Sequence, residues 1–391
     1  MTAASRSLKS VVLAGGGTAG HISPLLATAD ALRRRHPDVQ ITVLGSHGGM
    51  EETLVPERGY DLRLIDKAAF PRRPNAEAVH FPAKLRGARR DTAALIQEVD
   101  ADAVVGFGGY VSPPAFLAAR KLRVPIVVHD GNALAGMATK LGARFTPYVA
   151  TAFSVTKLPG AQVLGMPLRR EITRLDRRAI RREALEAFGL NGDLPTVLVT
   201  GGSSGAVRVN EPVAAAAGAF RSAGVQVLHV TGKGKEVDVV TTLDRGGVPA
   251  KYSGERSGGE TSRGIDPAYV VLPYADRMDL AYAAADLVVA RSGGNMVCET
   301  STIGLPAVFV PLPVGNGEQR LNAADVVAAG GALLVDNDDF TPDYIEQQVV
   351  PLAKDPARLA RMAEAARAQG HGDADERLVD MIEQAASAPA R

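Results

Sequence analysis

The sequence predicts an α/β protein made of two doubly wound parallel-sheet domains. Three observations predict this. Short β-branched runs alternate with Ala/Leu/Arg-rich stretches of helical pattern, the order expected of a parallel sheet covered on both faces. A strand, a Gly-rich turn and a helix open each half of the chain, at "VVLAGGGTAGHISP" (11–24) and at "TVLVTGGSSGAVRVN" (196–210). The chain has 391 residues, more than one ordinary core accommodates.

In the first half, strands are read at "SVVLAG", "ITVLGS", "LRLID", "AVVGFG" and "PIVVHD". Helices fit "PLLATADALRRRH", "AKLRGARRDTAALIQEV" and "PPAFLAARKL". In the second half, strands are read at "TVLVTGG", "VQVLHVTGKG", "YVVLPYA", "LVVARSGG" and "AVFVPLP". The helices between them are "RVNEPVAAAAGAFRSA", "RMDLAYAAA", "NMVCETSTI" and "EQRLNAADVVAAG". The expected domains are 1–165 and 166–369, with the join near "VLGMPLRREI" (163–172). The polar, glycine-rich run "KYSGERSGGETSRGIDPAY" reads as a mobile loop. Residues 370–391 read as one more amphipathic helix that crosses back to the first domain, followed by a frayed tail.

Composition excludes several classes. Hydrophobic residues make up 46% and charged residues 22%, a globular and not a disordered balance. The net charge of +1 gives no global bias toward nucleic acid, and none is expected as a partner. The single cysteine, Cys298, leaves no intrachain disulfide framework and fits a reducing compartment. No run approaches the ~20 apolar residues that span a bilayer, so any membrane contact is expected to be peripheral.

A strand running into a Gly-rich turn and a helix start makes an anion site. Glycines allow close backbone approach, and the helix end carries about half a positive charge. "GGGTAG" has neither the dinucleotide-binding spacing nor the Lys-Ser/Thr of a P-loop. Alone it equally fits a tight turn with no ligand. The loops "TGGSSGAVRVN" and "ARSGGNMVCE" add weight, because ligands of open α/β sheets collect at the carboxyl ends of strands. Two such domains facing a cleft could hold a nucleoside diphosphate. Glu299, one turn into a helix, suits ribose hydroxyls, although an acidic residue there is also favoured by the helix dipole alone.

The motifs "GGGTAGHISP", "GFGGYVSPP", "HDGNALAG", "GMPLR", "GGSSGAVRVN", "ADLVVARSGGNMVCE" and "PLPVGNGEQRLNA" occur in an order that resembles the MurG family of peptidoglycan glycosyltransferases, in glycosyltransferase family 28. The resemblance runs from about residue 10 to 370. It implies a GT-B fold of two Rossmann-like domains. It implies an inverting, metal-independent transfer of N-acetylglucosamine from UDP-N-acetylglucosamine to lipid I, making lipid II, with no cofactor. The donor would bind mostly on the second domain and the lipid-linked acceptor mostly on the first. Position by position, Thr18, Ala19, Gly20 and His21 match the loop at the junction of acceptor and donor sugar. Asn132 matches an asparagine on the donor sugar, and Arg169 and Ser203 match residues near the diphosphate. Ala275 falls where backbone groups read uracil. Gly294 and Asn295 lie beside the nucleotide, Glu299 matches the ribose carboxylate, and Gln319 with Asn322 match groups at the sugar hydroxyls. The chain departs from the pattern at Ala19, where the family has glycine, at His129-Asp130-Gly131-Asn132, at Gly165-Met166-Pro167 and at Asn295-Met296.

Inverting transfer needs a base for the acceptor hydroxyl and dipolar or cationic groups for the departing UDP. His21, at a helix start just past the glycines, is the first candidate base, since a free imidazole with a pKa near ~6.5 is largely neutral at pH 7. Asp130 is the second, as a base or as a group orienting the acceptor. Arg169, Ser203 and the 201–205 amides are expected to hold the leaving group. No Asp-x-Asp pair sits in a plausible metal position, so no catalytic metal is expected. Three rival readings stay open on the sequence: a glycosyltransferase of specialised metabolism, a UDP-sugar epimerase and an inactive UDP-sugar binder.

Residues 67–90, "KAAFPRRPNAEAVHFPAKLRGARR", interleave cations with apolar side chains. Phe70, Arg72, Arg73, Phe81, Lys84, Arg86, Arg89 and Arg90 are expected to face an anionic membrane surface, each cation adding about 1 kcal/mol. A solvated basic helix face is the plainer alternative. With a lipid-linked acceptor, the expected location is cytoplasmic, on the inner face of the cell membrane.

Overall fold

The computed structural model describes residues 8–67, 76–202, 206–252, 267–313 and 316–388. It divides into two compact units, Met1–Arg169 with His371–Arg391, and Arg170–Gly370. Most of the 251–269 run lies outside the described residues, as do Phe70, Arg72, Arg73 and Ser203.

The first unit runs β1 (Ser10–Ala14), α1 (Ala19–Arg35), β2 (Gln40–Ser46), α2 (Glu51–Glu57), β3 (Asp61–Ile65), α3 (Ala76–Glu98), β4 (Ala103–Gly106), α4 (Ser112–Leu122), β5 (Ile126–Asp130), α5 (Met137–Gly142), β6 (Val149–Thr151) and β7 (Gln162–Val163). Its seven strands pair in the order β3-β2-β1-β4-β5-β6-β7. Every described pairing in it is parallel. Strands β1, β4 and β5 are buried at every residue, which explains why they read as continuous Val/Leu/Ile runs rather than as an alternation.

The second unit holds β8 (Thr196–Thr200), β9 (Gln226–Val230), β10 (Ala250–Tyr252), β11 (Tyr269–Leu272), β12 (Leu287–Ala290), β13 (Ala307–Phe309) and β14 (Ala332–Leu334). They form another parallel sheet in the order β10-β11-β9-β8-β12-β13-β14. The strands absent from the sequence reading, β6, β7, β10 and β14, are two or three residues long and lie at or next to sheet edges. Such lengths carry no periodicity to detect.

Several helices differ from expectation: the 207–222 stretch is two helices, Val207–Ala215 and Ala217–Ser222, and α3 begins at Ala76 rather than Ala83. Helix α1 begins at Ala19 and carries Pro24 inside, where a start at Pro24 was expected. The 318–330 stretch is two short helices rather than one, Glu318–Asn322 and Ala324–Ala328.

Helix α3 corrects part of the membrane reading. Phe81 and Leu85 are partly buried and pack on the core cluster of Ala88, Leu95, Ile96 and Val99. These positions recur three and four apart, so one helix face is committed to the sheet. Phe81 is therefore a core contact and not an outward apolar anchor. Lys84, Arg86 and Arg90 on the same helix are exposed and Arg89 is half-buried. Arg90 pairs with Asp91 at 3.1 Å.

The closing helix, Ala374–Ser387, belongs to the first unit and lies against α1. Leu378, Val379, Met381, Ile382 and Ala385 join the cluster of Leu25, Ala29 and Leu32. Around this apolar seam, the basic last turn of α1 meets an acidic face. Arg34 reaches Asp375 at 2.7 Å and Glu376 at 2.8 Å. Arg35 pairs with Glu376 at 2.8 Å and with Asp380, and His36 Nε2 lies 2.8 Å from Glu383. Side chains exposed by about a third screen such pairs to roughly 1 kcal/mol or less each, whereas truncating a buried Ile to Ala costs about 2–5 kcal/mol. Chemical denaturation should therefore show Ile382→Ala losing more unfolding free energy than the double variant Arg34→Ala/Arg35→Ala.

Candidate active site

In each sheet the chain leaves a central strand to build one side and returns beside that strand to build the other. In the first unit this reversal falls between β1 and β4, and in the second between β8 and β12. Loops diverge at such a point and leave a crevice beyond the carboxyl strand ends. The Gly-rich segments 15–18 and 107–111 lie at the first reversal, and residues 201–202 and 291–293 at the second.

At the first reversal the two loops interlock through glycine. A side chain on Gly109 would place its Cβ 2.6 Å from the Gly16 carbonyl oxygen, and one on Gly108 would come within 3.0 Å of the His21 ring. Both residues have positive φ, +80° and +98°, where glycine is favoured in any case. Ser112 Oγ closes the second loop, accepting from the Gly108 amide at 3.1 Å.

His21 lies in the first turn of α1, half-buried. Its Nδ1 is 3.2 Å from the Gly16 carbonyl and 3.4 Å from Thr18 Oγ1. A carbonyl only accepts, so Nδ1 donates in this contact and carries a proton. Nε2, the nitrogen facing Gly108, is the ring nitrogen on which a neutral imidazole with this contact has its lone pair. Thr18 is the extended N-cap of α1, and Ala19 is the first helical residue. Right-handed helix suits alanine better than any other residue, so a methyl in place of the family's glycine meets no backbone penalty there. Gly20 follows within the helix, 4.0 Å by its carbonyl from a Cβ built on Gly131.

The loop is held from beneath by Glu51, a residue the sequence reading passed over. Its side chain is fully buried. Oε1 accepts from the Ser46 amide at 3.0 Å and the Ser46 hydroxyl at 3.2 Å, and Oε2 accepts from the Gly17 amide at 2.9 Å. Cβ atoms built on Gly16, Gly45 and Gly49 would all fall within 2.1–2.7 Å of this side chain, so three glycines make its cavity. Burial pushes the carboxyl pKa up, but the Ser46 and Gly17 donors outweigh it and hold the group below its ordinary value.

Asp130, the second candidate as a base or as a group orienting the acceptor, has its carboxylate oxygens engaged by its own loop. It is 4% exposed. Oδ1 accepts from the Asn132 amide at 3.0 Å, and Oδ2 accepts from the Gly136 amide at 2.9 Å and from the Thr139 hydroxyl. The carboxylate organises its own loop, a task that does not need the longer reach of glutamate. Asn132 is half-buried at the head of that loop, and its carbonyl accepts from Thr156 at 2.8 Å. His129 is buried, donates from Nε2 to the Gly165 carbonyl at 3.0 Å and is pushed toward neutrality by burial.

In the second unit, Gly293 caps the helix Gly294–Ile303 without a side-chain cap, and nothing lies within 4 Å of a Cβ built on it. The helix thus presents first-turn amides under open space. Glu299, on its second turn, accepts from the phenol of the buried Tyr282 at 2.6 Å. Asn295 is half-buried beside it. Asn322 is 1% exposed and donates to the Ser292 carbonyl at 3.1 Å, so it braces this loop from inside rather than presenting its amide outward. Gln319 accepts from the Leu312 amide at 2.9 Å. Arg291, also passed over, is buried and donates to the Val310 and Pro311 carbonyls, both at 3.0 Å, and to Asn337. Ala275 is buried just after β11, and Gly202 N–H is turned back on Thr200 Oγ1 at 3.3 Å. Arg169 is half-buried at the end of the first unit.

The Glu51 geometry sets a pH dependence. A carboxyl whose pKa is lower folded than unfolded adds stability above its ordinary value of 4.5, and this is lost as pH falls through the folded value. Urea denaturation should show Glu51→Gln less stable than the parent at pH 7, with the gap narrowing below about pH 4.

Comparisons with known proteins show the family and the fold. Residues 11–151 match the glycosyltransferase family 28 N-terminal domain and residues 196–378 the family 28 C-terminal domain. A UDP-N-acetylglucosamine–N-acetylmuramyl-(pentapeptide) pyrophosphoryl-undecaprenol N-acetylglucosamine transferase of Streptomyces avermitilis is 50% identical over 378 residues, 97% of this chain and 99% of that protein. The protein of the same name from a Nocardioides species is 52% identical over 372 residues, 95% and 97% of the two chains. The crystal structure of Acinetobacter baumannii MurG superposes with a TM-score of 0.75 at 29% identity, covering 96% of this chain and 99% of that one. A UDP-GlcNAc 2-epimerase from Neisseria meningitidis, at a TM-score of 0.66 and 13% identity over 96% and 100% of the chains, shares the fold alone. The architecture is GT-B, and the chain belongs to glycosyltransferase family 28.

Proposed function

We propose that the protein is an inverting N-acetylglucosaminyltransferase that moves N-acetylglucosamine from UDP-N-acetylglucosamine to the muramyl hydroxyl of lipid I, forming lipid II of peptidoglycan. The observation that carries the reading is the His21 geometry in a chain about half identical, end to end, to transferases named for this reaction. The acceptor hydroxyl gives its proton to His21 Nε2 as its oxygen bonds the anomeric carbon. The bond from that carbon to UDP breaks, and its electron pair leaves on the diphosphate. Amides at the start of the Gly294–Ile303 helix, with Arg169 and Ser203, stabilise that charge. Glu299, steadied by Tyr282, takes the ribose hydroxyls, while Ala275, Gln319 and Asn132 complete the donor contacts. The first unit contributes acceptor binding and the base, and the second the nucleotide contacts.

Incubation with labelled UDP-N-acetylglucosamine and a lipid I analogue should yield lipid II. His21→Ala should lower kcat by about 10²–10⁴-fold, with donor affinity nearly unchanged. Epimer formed without acceptor, or turnover only on unrelated aglycones, would reject the reading. Glu299→Gln should weaken donor binding by about tenfold in calorimetry, as expected when a charged acceptor of a hydrogen bond is lost.

The same reading places the protein at the inner face of the cell membrane. No helix among the described residues is long and apolar enough to cross a bilayer. Lys84, Arg86 and Arg90 support an electrostatic contact, with Phe70, Arg72, Arg73 and Arg89 in the same basic run. Anionic vesicles should sediment the protein at low salt. Reversing Arg72, Arg73, Arg89 and Arg90 should abolish this, and equal sedimentation of both forms would refute it.

A further inference from the structure

We propose that Glu51 is a positioning residue for His21, acting through the single peptide group that joins Gly16 to Gly17. The inference rests on the reading of His21 as the base. One peptide carries both contacts. Its N–H, on Gly17, donates to Glu51 Oε2 at 2.9 Å, and its C=O, on Gly16, lies 3.2 Å from His21 Nδ1. The order is carboxylate, amide, carbonyl, imidazole, with the basic Nε2 at the far end.

Three features make this more than a buried packing contact. First, the peptide lies between two glycines, and Gly17 has a φ of +88°. A Gly-Gly peptide has little conformational preference of its own and flips easily. A flip would turn the Gly16 carbonyl away from the ring and leave Nδ1 without its acceptor. The Glu51 carboxylate, which accepts and cannot donate, permits only the observed orientation. Second, the Gly109 backbone abuts the same carbonyl, so no bulkier support is available from above. Third, no cation pairs with Glu51 among the described residues, so its negative charge is directed at the amides of Ser46 and Gly17. Charge on the N–H side polarises the peptide and strengthens its carbonyl as an acceptor. That favours the ring with its proton on Nδ1 and a lone pair on Nε2. A carboxylate bonded directly to a histidine sets its tautomer in this way in hydrolytic triads. Here the peptide stands between them.

Nitrogen NMR on histidine-labelled protein tests the linkage without reference to turnover. The unaltered protein should show His21 with its proton on Nδ1, whereas free histidine prefers Nε2. Glu51→Gln should move His21 toward the Nε2–H form. In the assay with a lipid I analogue, the same variant should lose on the order of tenfold in kcat, with donor KM and calorimetric donor affinity within about twofold. In a His21→Ala background, Glu51→Gln should cost no further activity. A His21 proton on Nε2 in the unaltered protein overturns the proposal, whether or not the variant folds. So does a folded Glu51→Gln protein whose His21 tautomer and kcat are unchanged. If His21→Ala keeps full kcat, the base reading fails instead, and the tautomer measurement still reports the Glu51 linkage separately.

Discussion

The peptide between Gly16 and Gly17 is the contact on which the arrangement of the first unit's Gly-rich loops depends. Its amide is fastened to a buried carboxylate and its carbonyl to an imidazole. The doubly wound sheet brings a crevice to this point whatever the loop sequence, because strand order reverses there. What the loop sequence adds is room. Glycines at 16, 45 and 49 leave a cavity that a side chain would fill, and glycines at 108 and 109 let a second loop close over the first. Burying a carboxylate is costly unless donors meet it, and three do.

The same economy recurs around the other Gly-rich segments. Asp130 gathers the amides of residues 132 and 136, Asn322 takes the Ser292 carbonyl, and Arg291 takes two carbonyls following β13. Loops without regular ladders leave backbone groups to be satisfied, and buried polar side chains satisfy them. Several residues with the look of reactive groups therefore serve as scaffolding. His21 and Glu299 differ, because both remain partly exposed while a neighbour orients them.

Much of this was legible in the chain. The apolar runs at 10–14, 103–106, 126–130, 196–200 and 287–290 became central strands because a strand buried on both faces shows no alternation. The Gly-rich turns that follow the strands at 10–14, 103–106, 196–200 and 287–290 begin at the two reversals. Phe81 was misread because cations alternate with apolar residues around it, and only the position of the sheet tells which face of α3 is inward. The partners of Asp130 were hidden for a related reason: a carboxylate beside a Gly-Asn turn looks alike whether it points outward or curls back onto its own amides.

By itself, then, the sequence determined the α/β class, the two sheets, the Gly-rich loops at their carboxyl edges and the family, since all of these follow from local pattern and motif order. Only the tertiary structure decided which polar groups are buried against backbone partners and which stay partly exposed. Glu51 meets Gly17 across 34 positions of chain, and Tyr282 meets Glu299 across 17. Neither pairing leaves a local signature, because each is made by the packing of separate elements rather than by the spacing of residues along one.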